Sequence, residues 1–168
     1  MKNIVIIGGT KGIGKAIVAS LVANNNITCL SRNKSEFSHD NYSHIKYNSL
    51  EDELPDIEFV DCLIYCPGSI NLKPITNLSI DDFRDDFEIN VIGAVKCIKR
   101  YLPQLKSGVN PSILLFSTVA TKLGMPYHAS VSVAKSGIDG LVKTLGAELS
   151  PKIRINAIAP TITNTSYD

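Results

Sequence analysis

The chain has 168 residues, 44% of them hydrophobic and 20% charged, with a formal net charge of +1. That composition fits one folded domain with a sizeable core and gives disorder no basis. So small a net charge excludes a general basic field, and with it nucleic acid or an anionic membrane as an implied partner. No apolar run approaches the roughly 18 residues a bilayer span needs. Cys29, Cys62, Cys66 and Cys97 lie in or beside apolar segments without metal-ligand spacing, so they read as small core residues in a reducing compartment and no metal site is expected. A strand follows Met1 too closely for a signal peptide, and the expected location is cytoplasmic.

In chain order, Ile4 to Ile7 is a β-branched run bounded by Gly8 and Gly9, the pattern of a strand buried on both faces. From Ile13 the apolar positions change to helical spacing, with Ile17, Val18, Leu21 and Val22 on one stripe. Between them, Gly8, Gly12 and Gly14 let the backbone turn sharply and approach a pyrophosphate, to which the helix N-terminus adds partial positive charge. Gly9, Gly14 and Lys15 also match the opening of a nucleoside-triphosphate loop, but Ala16 follows, with no hydroxyl for magnesium.

Ile27 to Leu30 reads as a second strand, ending at Ser31, Arg32 and Asn33. In a dinucleotide fold this strand end faces the adenine ribose, where Arg32, with help from Lys11, favours a 2′-phosphate and hence NADP(H) over NAD(H). Ile45 to Tyr47 is a weak third strand, and His39 and His44 read as solvated loop residues. Val60 to Tyr65 is a fourth strand, stopped by Cys66, Pro67 and Gly68, with a loop over 66–78. Ser79 is an N-cap, and the helix it opens runs to Pro103, its apolar stripe interrupted at Asn90 and Gly93, which marks a kink or a site. Ser112 to Ser117 is a fifth strand, 118–126 a loop, Tyr127 to Leu149 a second long helix and Ile153 to Ile158 a sixth strand.

Strands alternating with helices describe an α/β fold: a Rossmann-type doubly wound parallel sheet of six strands with helices on both faces, in one domain over 1–168. Gly8, Arg32, Gly68, Thr118 and Pro160 all fall just past strand ends, so they are expected to line one crevice.

This pattern resembles the short-chain dehydrogenase/reductase family along essentially the whole chain. GGTKGIG at 8–14 is similar to its cofactor glycine motif, INVIGA carries Asn90 on its helix asparagine, SVSVAKSGIDGLVKTLGAEL carries Lys135 on its helix lysine, and IRINAIAP at 153–160 is similar to the strand before its cofactor loop. The resemblance implies hydride transfer between a nicotinamide and a small-molecule carbonyl or alcohol. It implies catalytic roles for Asn90, Thr118 (on the family's serine) and Lys135, and cofactor contacts from Gly8, Thr10, Lys11, Gly12, Ile13, Gly14, Ser31, Arg32, Gly68, Asn90, Lys135, Pro160 and Thr165. Val131 stands four residues before Lys135, where the family keeps its proton-donating tyrosine. An oxidoreductase with an altered proton donor is therefore expected, with a catalytically silent dinucleotide-binding sensor or scaffold as the alternative. Tyr127 and His128 are the nearest groups with a proton to give. The resemblance further implies a homodimer or homotetramer, and a chain that ends before the family's seventh strand.

Overall fold

In the computed structural model, residues 1–48 and 51–165 are described. Six parallel strands form one sheet: β1 (Asn3–Ile7), β2 (Asn26–Ser31), β3 (Tyr42–Lys46), β4 (Cys62–Tyr65), β5 (Ser112–Phe116) and β6 (Arg154–Ile158). Their order is β3-β2-β1-β4-β5-β6, so the chain first winds outward in one direction and then, from β4, in the other. That reversal opens a crevice beyond the carboxyl ends of β1 and β4, where such sheets bind ligands.

The β-branched run of β1 is buried on both sides because its residues divide between two cores. Ile4 and Ile6 pack with Val18 of helix α1 (Gly12–Leu21) and with Val22 just past its end, while Val5 and Ile7 point into the larger core on the other face. The larger core takes Val91 and side chains from α3 (Gly93–Ser107) and α5 (Ala129–Leu149). On α5, Ile138 is buried and Leu141, Val142 and Leu145 rest on that core, leaving Val133 exposed. Among the described residues no helix is long and apolar enough to cross a membrane.

Helix α2 (Ile80–Phe87) opens on the expected cap. The Ser79 hydroxyl accepts from the Asp82 N–H while the Asp82 carboxylate accepts from the Ser79 N–H, satisfying two of the donors a helix start leaves bare. The interruption at Asn90 and Gly93 is a π turn over Glu88–Ile92. Gly93 is required there: a Cβ would lie 2.1 Å from the Tyr65 hydroxyl, which donates to the carbonyl of Ile89 at 2.7 Å. The wider turn and the absent side chain together admit a buried phenol from β4.

Several boundaries differ from the sequence reading. Pro103 does not close its helix, which continues to Ser107. Pro103 is exposed and forfeits one backbone hydrogen bond, whereas Tyr101 and Leu105 on the opposite side are fully buried and hold the last turn down. β3 starts at Tyr42 rather than Ile45 because it is an edge strand with polar, half-exposed positions and so lacks an apolar run. β4 starts at Cys62: Asp61 turns its carboxylate onto the N–H groups of Asn3 (2.8 Å) and Val109 (2.6 Å) and so ties three chain segments together below the sheet. A short helix, α4 (Ala120–Leu123), lies in the expected 118–126 loop, and α5 begins at Ala129 because Tyr127 takes a left-handed φ of 66°.

Candidate functional site

The glycine turn owes its shape to three glycines, two in a left-handed conformation and one at a close backbone approach. Gly8 and Gly12 have φ of 77° and 51°, a region L side chains rarely adopt, and a Cβ on Gly14 would stand 2.2 Å from the Gly8 carbonyl oxygen. Lys11, the residue before α1, gives the helix no side-chain cap, in contrast with the closed box of α2. The first N–H groups of α1 are thus presented at the crevice, a ready site for an anion.

The crevice brings together ends of four strands. Gly8, Thr10, Lys11, Gly12, Ile13 and Gly14 line it from the turn after β1, Ser31 and Arg32 from β2, Gly68 from the loop after β4, and Thr165 from the far end of the described chain. Arg32 is exposed, and among the described residues no carboxylate pairs with it. Ser31 is held differently: its hydroxyl bonds to the carbonyl of Asn33 (3.0 Å) and to Nε2 of His44 (2.9 Å), so His44 braces the β2 end rather than dangling in solvent.

The same wall contains Tyr47, Asn48, Cys66, Pro67 and Ile89, which the motif reading omitted. A signal for them exists. In a parallel sheet every strand delivers the residues after it to the same edge, so Tyr47 and Asn48 follow from locating β3 correctly.

Thr118 and Pro160, like Asn90 and Lys135, are not among the residues lining this cavity. They are bound to their own neighbourhood: the Val119 N–H donates to the Pro160 carbonyl at 3.2 Å, and the Thr118 hydroxyl oxygen accepts from the Ala120 N–H at 3.3 Å, starting α4. The hydroxyl hydrogen remains available to a carbonyl oxygen. Tyr127 and His128 line a second, separate cleft with Lys73, Ile75, Met125 and Ser132. Tyr127 is 61% exposed, and the His128 Nδ1 is 2.7 Å from the carbonyl of Pro126.

Gly68 joins the crevice to the residues of the two long helices. A Cβ there would lie 3.2 Å from Asn90 Oδ1 and 3.5 Å from Lys135 Nζ, so both groups converge behind the loop. The orientation of Asn90 is settled by its partners. Its Nδ2 donates to the Asp86 carbonyl (2.8 Å) and to the Ser69 hydroxyl (3.1 Å), and a reversed amide would set oxygen against that carbonyl. Oδ1 is left buried without a partner among the described residues.

Lys135 is 9% exposed and donates to the Phe116 carbonyl at 2.8 Å. Burial drives its ammonium down from the usual 10.5 to about 8, against the opposing pull of Cys66 and Asp86. Val131, one turn earlier on α5, is buried and carries no proton to donate.

A family model described as enoyl-(acyl carrier protein) reductase matches residues 48–168. The chain belongs to the short-chain dehydrogenase/reductase family. The 3α-hydroxysteroid dehydrogenase of Mediterraneibacter gnavus is 26% identical over 186 aligned positions, spanning 98% of this chain and 74% of that enzyme. Among solved structures, ligand-free aldohexose dehydrogenase of Thermoplasma acidophilum shares the fold at a TM-score of 0.87 and 22% identity, over 98% of this chain and 68% of that one. ElxO with NADP bound has a TM-score of 0.86 at 26% identity, over 98% and 75% of the two chains. The crevice offers features that suit the dinucleotide cofactors of this family: a turn too tight for side chains and a helix start without a side-chain cap.

Proposed function

We propose that the chain binds NADP(H) in preference to NAD(H) and exchanges hydride with a small-molecule carbonyl or alcohol. One observation carries this reading: a continuous wall leads from the uncapped helix start, past Arg32, to Gly68, behind which Asn90 Oδ1 and Lys135 Nζ meet. A family member of similar fold with NADP bound supports it.

A dinucleotide held there would supply or accept the hydride. Around it, the Gly8–Gly14 turn and the α1 N–H groups hold the pyrophosphate, and Arg32 pairs with the 2′-phosphate. Lys135 donates to the nicotinamide ribose, Asn90 Oδ1 accepts from a water, and the Thr118 hydroxyl donates to the substrate oxygen. With Val131 unable to give a proton, a water held between Asn90 and Lys135 would pass one to the substrate oxygen during reduction and be reprotonated by the Lys135 ammonium, which regains its proton from solvent; oxidation of the alcohol runs the relay in reverse. The family resemblance implies a homodimer or homotetramer joined through the two long helices.

Calorimetric titration of NADPH and NADH tests the cofactor assignment. NADPH binds more tightly than NADH, and in Arg32→Ala the NADPH affinity falls by about 2 kcal/mol, roughly thirtyfold, with NADH nearly unchanged. Equal affinities in the native chain, or equal losses in the variant, remove the 2′-phosphate reading. Hydride transfer across a panel of carbonyls and alcohols, measured as NADPH absorbance, tests turnover. Its absence throughout would leave a binding protein.

A further inference from the structure

Asp86 is the one acidic side chain of α2 that is wholly buried, at 0% exposure. A charge is taken from water at high cost unless the fold gives it partners and a task. Its partners are few. Oδ1 accepts from the Ser69 hydroxyl at 2.5 Å and from Asn71 Nδ2 at 3.2 Å, while Oδ2 is buried with no hydrogen-bond partner among the described residues. Ser69 and Asn71 both belong to the loop that begins at Gly68, and Ser69 also accepts from Asn90 Nδ2. Asp86 thus clasps the crevice loop to α2, and its own backbone carbonyl takes the other hydrogen of the same amide. One contact direct from Asp86 and one relayed through Ser69 turn Asn90 Oδ1 toward Gly68.

We propose that Asp86 is a positioning residue of this site: through Ser69 and through its own backbone carbonyl it fixes the Asn90 amide oxygen at Gly68, beside Lys135 Nζ. The groups that act on Lys135 from the packed elements are two. Cys66, at the end of β4, is held as a neutral thiol because burial pushes it up to about 12. Asp86, from α2, is then the group left to favour the charged lysine at neutral pH. Asp139, one turn beyond Lys135 on α5, is engaged with Lys122 at 3.9 Å, and the Phe116 carbonyl from β5 adds a dipole without charge.

The role of Lys135 at a cofactor rests on the function proposed above, but the test runs on the unliganded chain and is independent of it. Lysine side-chain NMR follows the Lys135 titration, its signal identified by loss in Lys135→Met. In Asp86→Asn, which keeps the volume and removes the charge, the midpoint falls by about one pH unit. Asp86→Glu restores it to near the native value. In Ser69→Ala, which keeps the charge and opens the clasp, the midpoint holds while hydrogen exchange at Asn90 Nδ2 speeds by about tenfold, or roughly 1.4 kcal/mol. An unchanged Lys135 midpoint in Asp86→Asn overturns the electrostatic part, and unchanged Asn90 exchange in Ser69→Ala overturns the clasp. Should Asp86→Asn not fold, Ser69→Ala decides alone: fast Asn90 exchange supports the proposal, and slow exchange overturns it. Failure to bind NADPH, by contrast, would bear only on the function and leave these titrations standing.

Discussion

Gly14→Ala is expected to remove NADPH binding, with affinity down at least about 100-fold, near 3 kcal/mol, and to lower the melting temperature. The added methyl would sit 2.2 Å from the Gly8 carbonyl oxygen and 3.0 Å from Gly9 Cα. Both are backbone atoms, so no flexible side chain can swing aside. The turn must open instead, and the turn is the crevice wall. Overpacking of this kind costs about 1–3 kcal/mol of stability, or about 2–10 °C for a chain of this size. Gly140→Ala is the control, because a Cβ there meets nothing within 4 Å and replaces glycine inside α5. That variant should gain up to about 1 kcal/mol of stability and bind NADPH as the native chain does. Native-like NADPH affinity in Gly14→Ala would show that the dinucleotide does not sit in this turn.

Lys135→Met is expected to change how stability depends on pH. Lys135 titrates near 8 in the folded chain, against about 10.5 when unfolded, because burial disfavours its charge. Below about pH 8 both states hold the proton, and the folded state bears the full cost of the buried charge. Between about 8 and 10.5 the unfolded chain binds more protons than the folded one, so stability rises with pH through that window. Methionine has no such term. Its advantage over lysine should therefore be about 3 kcal/mol larger at pH 7 than above pH 10.5. Methionine also leaves the Phe116 carbonyl without its donor, which displaces the curves by an amount independent of pH. Denaturant unfolding of both chains from pH 7 to 10.5 reads the difference, and parallel curves would show that the folded environment does not depress the lysine.

Much of this protein is legible in its residues taken locally. The β1 run, the glycine turn and the α1 stripe are consecutive, and each is dictated by neighbours a few positions away, which is why strand, turn and helix were all found where expected. The Ser79 cap and the break at Asn90 and Gly93 are likewise local. The break is specific enough to be anticipated, because neither residue suits a helix interior. Less visible was what the break accommodates. That Tyr65 threads its hydroxyl to Ile89 past a missing Cβ depends on a strand 24 residues earlier lying against that turn.

By itself the sequence determined the class of the fold and the strand, glycine turn and helix at its start, and it singled out Arg32, Asn90 and Lys135 as candidates, since motifs and periodicity are properties of short stretches. Only the tertiary structure decided which strand ends share a wall. It set Thr118 beside Pro160, joined through the Val119 N–H, and brought in Tyr47 and Asn48 from an edge strand too polar to announce itself. It also separated Tyr127 and His128 into another cleft and buried Asp86 beneath the Gly68 loop, through hydrogen bonds between residues 15 to 21 positions apart. Burial and long-range pairing arise when elements pack, and no short stretch of chain carries that information.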